Sequence, residues 1–514
     1  MVVATIGTDT GLRARPGPAA PKSRAAAIAA GAARVVVVGA ALVPIVTYLY
    51  VALRQLGYPY ELEWMEGGAA EIVARVAHGQ AVYVAPSLHY VPYTYTPLYF
   101  YVAGALAKVT GFSFLPLRLV SLVASLGCLG VLFRLAWRET GDWVAGVVAA
   151  GFFAATFEVG GAWLDIGRVD SLLLLFMLLA VWAARRACDW PAGIGVGLLV
   201  FAAFFTKQTG LVALVPLLAY LAVTRWRAGL AALGTVAVAV AGSTALLQMT
   251  SHGWYGYYIY SELAHQPEDP SVWSHFLPGD IGSPVGFAIG LGLLGLVLGL
   301  WRHAGTTSWP FWIVMAAGFV GASFVSRLHL GGGNEVLIPA YAAVALLGAL
   351  GYDTLRRAGA GRPALVGAAL ALVVLAQVVR LSDHPSHLIP TAADAAAGRQ
   401  FVATVARTPG EVIVINHPWY DTMAGKASWA QGEAVHDIVR SGPSTARTDL
   451  LRSIDATLAS PKVTAIYFDY DELGVFAGPV QRSFRPGPRV FSCFACFFPP
   501  TDVAFRPYLL FVRR

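Results

Sequence analysis

Charge is what this sequence has least of. Only 13% of its 514 residues are Asp, Glu, Lys or Arg, where a soluble chain carries about a quarter. That deficit excludes an ordinary water-soluble globular protein. Cysteine is scarce too: Cys128, Cys188, Cys493 and Cys496 are the whole complement, too few for a disulfide-dense scaffold. Cys128 and Cys188 fall in or beside apolar runs and read as inert packing residues. Cys493 and Cys496 form a lone Cys-x-x-Cys, which without a second such pair is a weak metal signal; if the segment lies outside the cell, a local disulfide is the expected pairing. No metal constellation and no internal repeat stands out. A cleaved leader is also missing from expectation, because the apolar stretch from Val35 to Leu53 is too long for a signal core and lacks a convincing cleavage site.

Apolar residues take the place of charge, at 57% of the chain, with a mean hydropathy of +0.62. They gather in runs near 35–54, 115–133, 143–162, 171–184, 191–205, 209–224, 229–249, 283–301, 309–325, 335–352 and 363–380. A helix crosses the ~30 Å hydrocarbon core with about 20 residues, so the pattern predicts an α-helical polytopic membrane protein of about eleven spans. The two runs flanking Lys207 read as a broken pair or a re-entrant turn.

Orientation follows from the arginines. With a basic tail at residues 1–32 (Arg13, Arg15, Lys22, Arg24) placed in the cytoplasm, every second connection carries Arg: Arg134 and Arg138, Arg185 and Arg186, Arg225 and Arg227, Arg302, then Arg356, Arg357 and Arg362. The opposite connections hold Glu61, Glu63, Glu66, Asp165, Asp170, Glu262, Glu268 and Asp280. This is the positive-inside bias, so the net charge of +7 reflects topology and gives no reason to expect nucleic acid. High Ala, Gly and Arg usage points by composition to a GC-rich bacterium, so the expected location is a bacterial plasma membrane. An odd number of spans places the C-terminus outside. The transmembrane part is expected at 33–381. A small exoplasmic α/β domain is expected at 382–514, with a helix over Thr391–Arg407 and strands at Val412–Ile415, Val463–Phe468 and Tyr508–Val512.

The first outer loop, 57–114, is the richest in chemistry. Tyr60 to Gly68 places Glu61, Glu63 and Glu66 within six positions. Glu63 and Glu66, three apart, share one face if the segment is helical. The bland reading is a solvated acidic loop. Against it stand Tyr60, Trp64 and Met65, which crowd the carboxylates at a membrane helix end, where an unpaired charge is costly. Tyr93, Tyr95, Tyr99 and Tyr101 follow, an interfacial aromatic belt or a set of sugar-stacking platforms. The apolar stretch Pro97–Lys108 is too short to span and reads as a helix on the outer surface. Asp165, Arg168 and Asp170, then Lys207 and Gln208, then Arg327, His329, Asn334 and Glu335 recur at outer helix ends. Taken singly each is a snorkelling or capping residue, but together they describe a cavity open to the outer leaflet. Its basic groups suit a lipid-linked phosphate, and an acidic one suits a general base for an acceptor hydroxyl.

The stretch Glu63 to Gln80 (EWMEGGAAEIVARVAHGQ), the later Tyr95-Thr-Pro-Leu-Tyr99 and the turn Phe204-Phe-Thr-Lys-Gln-Thr-Gly210 resemble the GT-C glycosyltransferases, which include protein O-mannosyltransferases and lipid A aminoarabinose transferases. The resemblance covers about 35–380. It departs at one place: the family's Asp-Glu pair falls on Met65-Glu66, so the Asp is absent. Glu66 would then be the base, or Glu63 one turn earlier. The resemblance implies inverting transfer from a polyprenyl-phosphate-linked sugar to a glycan, lipid or protein acceptor among the membrane lipids. Lys207, Arg75, Arg168 or Arg327 would hold the leaving phosphate. Glu61, Tyr93, Tyr95, Asp165, Asp170, Gln208, His329 and Glu335 are the expected substrate contacts. No cofactor is required on this reading, although an acidic site can recruit a divalent cation.

The main rival is a transporter or flippase of lipid-linked sugars. Transporters set ionisable residues near the midplane, and Glu158 inside the third apolar run is the best residue for that view. A third reading, an assembly protein, would use His417, Trp419, Tyr420 and Lys426 as a binding edge, but it leaves the acidic loop unexplained.

Overall fold

The computed structural model describes residues 24–302, 308–382, 384–470, 473–493, 495–501 and 504–514. Arg13, Arg15 and Lys22 of the basic tail lie outside the described residues. The described chain begins with α1 (Arg24–Gln55) and then places two helices in the first loop, α2 (Glu66–Ala77) and α3 (Leu98–Thr110). The remaining apolar runs become α4 (Leu115–Thr140), α5 (Trp143–Ala155), α6 (Asp170–Ala184), α7 (Trp190–Thr206), α8 (Thr209–Thr224), α9 (Trp226–Thr250), α10 (Ser283–Arg302), α11 (Trp309–Leu328), α12 (Ile338–Ala358) and α13 (Pro363–Arg380).

All eleven runs are therefore helical, but they are not equal. Among the described residues seven helical stretches are long and apolar enough to cross a membrane, and α5 to α8 are shorter. The chain is a multi-pass membrane protein. The third run ends early: the expected helix over 143–162 stops at Ala155, and residues 156–169 continue as turns, with Gly161 and Ala162 at φ 83° and 59°. Inside a membrane protein, backbone can leave the helix only where protein or a polar cavity satisfies it. Here Gly160, Gly161 and Ala162 N–H groups donate to Thr156, Glu158 and Phe157 carbonyls. The same holds at Lys207, whose extended backbone (φ −156°, ψ 130°) breaks α7 from α8.

After α13 come α14 (Ala392–Arg407), β1 (Glu411–Val414), α15 (Pro418–Met423), α16 (Gly432–Arg440), α17 (Thr445–Ala459), β2 (Val463–Phe468), α18 (Ala477–Ser483), β3 (Phe484–Pro486) and β4 (Leu509–Arg513). A capping box of Thr391 and Asp394 starts α14. The sheet runs β1-β2-β4-β3, with β1 and β2 parallel and the other pairs antiparallel. The expected helix and three strands are present, and β3, only three residues long, is an addition. Cys493 and Cys496 are joined in a disulfide. One apolar cluster unites Trp64, Ala69 and Tyr93 of the first loop with Ile413, Trp419, Trp429 and Val435 of the C-terminal part. The sheet and its helices are thus docked on the acidic loop.

Candidate active site

The site grows from the end of the first loop, where α2 starts at Glu66 without a side-chain cap. The Glu66 carboxylate is fully buried and fully engaged. Arg118, in the first turn of α4, donates from Nε to Oε1 at 3.0 Å and from Nη2 to Oε2 at 2.7 Å. The Leu62 and Gly167 N–H groups add bonds of 2.8 and 2.6 Å. Arg118 also donates to the Tyr58 and Tyr60 carbonyls, each at 2.6 Å. This fork ties α4 to the loop and to the 156–169 turn. Arg118 escaped the sequence reading, although a single Arg inside an otherwise apolar run is the signal that marks such a residue.

Glu61 lies on the other side of the segment, buried against the C-terminal part. Its Oε2 accepts from Nδ1 of His417, and its N–H donates to the Tyr420 hydroxyl at 3.3 Å. Burial pushes the Glu61 carboxyl up to about 7, against the opposing pull of His417. Two glycines make the packing feasible. A Cβ on Gly67 would stand 2.1 Å from Glu61 Oε1, and one on Gly68 would stand 2.1 Å from the Tyr93 hydroxyl. Tyr93 itself donates to the Met65 carbonyl at 2.7 Å, which fixes the turn carrying Glu63. Asp165 is buried near Arg118 and Glu66; burial raises it to about 7, with Arg118 opposing.

Glu63 points toward the cations. It is buried, with Oε2 3.6 Å from Arg168 Nη1. Arg168 donates to the Tyr95 hydroxyl at 2.9 Å and lies over the Trp163 ring at 4.4 Å. Lys207 approaches the same Tyr95 ring, 5.2 Å from its centroid, and pairs with Asp170 at 2.8 Å. Asp170, Lys207 and Glu335 line one cavity together with Ser326 and Thr209. Gln208 holds the rim by donating to the Thr94 carbonyl at 2.8 Å. The broken helix at Lys207, the re-entering 156–169 turn and the first loop thus converge: Glu63, Tyr93, Tyr95, Arg168, Asp170, Lys207 and Glu335 form one cluster.

Besides Glu61, the expected site residues Arg75, Arg327 and His329 are placed away from this cluster. Arg75 donates to the Ala81 carbonyl at 2.9 Å and stacks on Tyr90, closing its own loop. Arg327 pairs with Asp280 at 3.1 Å, and with His329 it lines a separate pocket that includes Gly331 and Gly332. Glu158, the residue favouring transport, sits in the turn after α5 and pairs with His387 at 3.0 Å. His417, Trp419, Tyr420 and Lys426 form no free edge: the first three are buried, and Lys426 donates to the Thr408 and Gly410 carbonyls. Among the described residues no group of three or more His, Cys, Asp or Glu is arranged to hold a metal ion.

Residues 93–253 match the family model described as dolichyl-phosphate-mannose-protein mannosyltransferase, a stretch that carries Tyr93, Tyr95, Asp165, Arg168, Asp170, Lys207 and Gln208. Comparison with curated protein sequences gives no significant match. Among solved structures, ArnT from Cupriavidus metallidurans bound to undecaprenyl phosphate aligns with a TM-score of 0.52 at 17% identity, over 83% of this chain and 93% of that one. Its apo state gives 0.54 at 16% identity over the same shares. The apo oligosaccharyltransferase of Archaeoglobus fulgidus gives 0.51 at 12% identity, over 84% of this chain and 70% of that one.

Proposed function

We propose that this chain, which has the fold of the GT-C membrane glycosyltransferases, moves a sugar from a polyprenyl-phosphate donor to an acceptor hydroxyl on the outer face of a bacterial inner membrane. One observation carries the reading: Arg168 and Lys207 share the Tyr95 ring, and Glu63 lies 3.6 Å from Arg168. Two fixed cations beside a buried carboxylate suit a phosphate leaving group beside a general base. The relative bound to undecaprenyl phosphate supports a donor of that class. On this reading the N-terminus is cytoplasmic, residues 33–381 form the transferase domain, and residues 382–514 form an exoplasmic domain.

The step is an inverting displacement. Glu63 takes the proton of the acceptor hydroxyl, and the oxygen lone pair forms a bond to the anomeric carbon. The bond from that carbon to the phosphate oxygen breaks, and its electron pair leaves on polyprenyl phosphate. Arg168 and Lys207 stabilise the charge developing there. Glu63 takes the role of base over Glu66 because Arg118 and two backbone N–H groups already occupy both Glu66 oxygens. Glu66 then holds the loop in place. Transfer or hydrolysis from a panel of radiolabelled polyprenyl-phosphate sugars tests this. Glu63→Gln is expected to abolish turnover with donor binding kept, whereas Glu66→Gln is expected to lower thermal stability. A Glu63→Gln variant with wild-type kcat contradicts the assignment.

A further inference from the structure

The parallel pairing of β1 and β2 sets their C-terminal ends side by side, the edge of a sheet at which α/β folds commonly build sites. His417 follows β1 and Asp469 follows β2. Their side chains meet at 3.0 Å through His417 Nε2, and the Asn416 amide donates to the same Asp469 oxygen at 2.8 Å. The other imidazole nitrogen, Nδ1, meets Glu61 of the first loop. The side chains of Glu61, His417 and Asp469 are each at most 1% exposed, so this is a buried carboxylate–imidazole–carboxylate chain bridging two parts of the molecule 356 residues apart.

The surrounding seam points the same way. Thr501 donates twice to the Leu62 carbonyl, from N at 3.2 Å and from Oγ1 at 2.6 Å. Phe505 meets Trp64 edge-on at 5.0 Å, and Thr422 donates to Glu71 at 2.5 Å. The C-terminal part therefore grips the loop on both sides of Glu63. The charged and titratable groups facing the pair are Glu66 and Tyr93 from the loop side. From the other side Asp469 faces it, and the Tyr420 ring stacks 5.4 Å from His417.

We propose that His417 is a positioning residue for the transfer: held by Asp469 and paired with Glu61, it sets the Glu61–Glu66 backbone that carries Glu63. This rests on the reading of Glu63 as the base. Burial disfavours the imidazolium, but Asp469 and Glu61 outweigh it and raise His417 from 6.5 to about 10. A group raised in the folded state contributes stability fully below its unfolded value, and loses it as pH climbs through the folded one. The window here runs from pH 6.5 to about 10.

The test uses the full chain in nanodiscs, with His417→Asn and Asp469→Asn variants. His417→Asn is expected to lower kcat by up to about a hundredfold, the scale of an ångström's misplacement, with donor KM unchanged. Its Tm should also lack the wild type's decline between pH 6.5 and about 10. Asp469→Asn keeps the shape but removes one stabilising charge, so the alkaline limb of its kcat profile should move to lower pH. A purely structural role would lower yield and leave that limb in place. His417→Asn with the wild-type kcat and pH profile overturns the proposal. If the wild type transfers no sugar from any donor, the catalytic reading fails by itself. The Tm comparison then still decides the ion pair, and identical pH dependence in wild type and His417→Asn overturns it.

Discussion

Arg118 and Glu66 bring a full positive and a full negative charge to complete burial at the entrance to α4. Removing one partner of such a pair costs about 3–5 kcal/mol, because the other is left buried and uncompensated. Arg118→Met is therefore expected to lower the thermal midpoint sharply, measured by unfolding in detergent, and a second change, Glu66→Gln, should recover part of the loss. At this scale the sequence announced the acidic trio and the polar groups at helix ends, since carboxylates beside Trp64 and Met65 need partners. It did not announce which carboxylate is locked. That depends on Arg118, 52 positions from Glu66, and on His417, 356 positions from Glu61, and neither separation leaves a local pattern.

Among the elements, α2 decides the geometry because its first turn carries Gly67 and Gly68. Gly68→Ala drives a Cβ into the Tyr93 hydroxyl and displaces its bond to the Met65 carbonyl. Overpacking of this kind costs about 1–3 kcal/mol, and kcat is expected to fall more than stability does, because the displaced turn carries Glu63. A kinetic assay beside a melting curve separates the two. The eleven helices were legible from hydropathy, as were the helix and three of the four strands that follow. The early end of α5 was not, since Phe157, Val159, Gly160, Gly161 and Ala162 are apolar or neutral whether they continue a helix or line a buried turn. That turn delivers Asp165 and Arg168 to the site.

For the whole molecule, the central cluster exists because three interruptions of regular structure meet: the first loop, the turn after α5, and the break between α7 and α8. The charged residues they carry look like scattered caps until the fold assembles them. Lys207→Met should raise donor KM by roughly ten- to a hundredfold, the value of about 1.5–3 kcal/mol for a hydrogen bond to a charged group. Because it also strands Asp170, the double variant Lys207→Met/Asp170→Asn is the control: restored stability with KM still raised identifies a phosphate contact. The most direct test of the central claim is release of sugar from polyprenyl-phosphate donors by the purified wild type and Glu63→Gln. Turnover by the wild type that collapses in Glu63→Gln, with lipid binding kept, is the result expected. No turnover with any donor, alongside movement of intact lipid-linked sugar across proteoliposomes, would contradict it and make the protein a flippase.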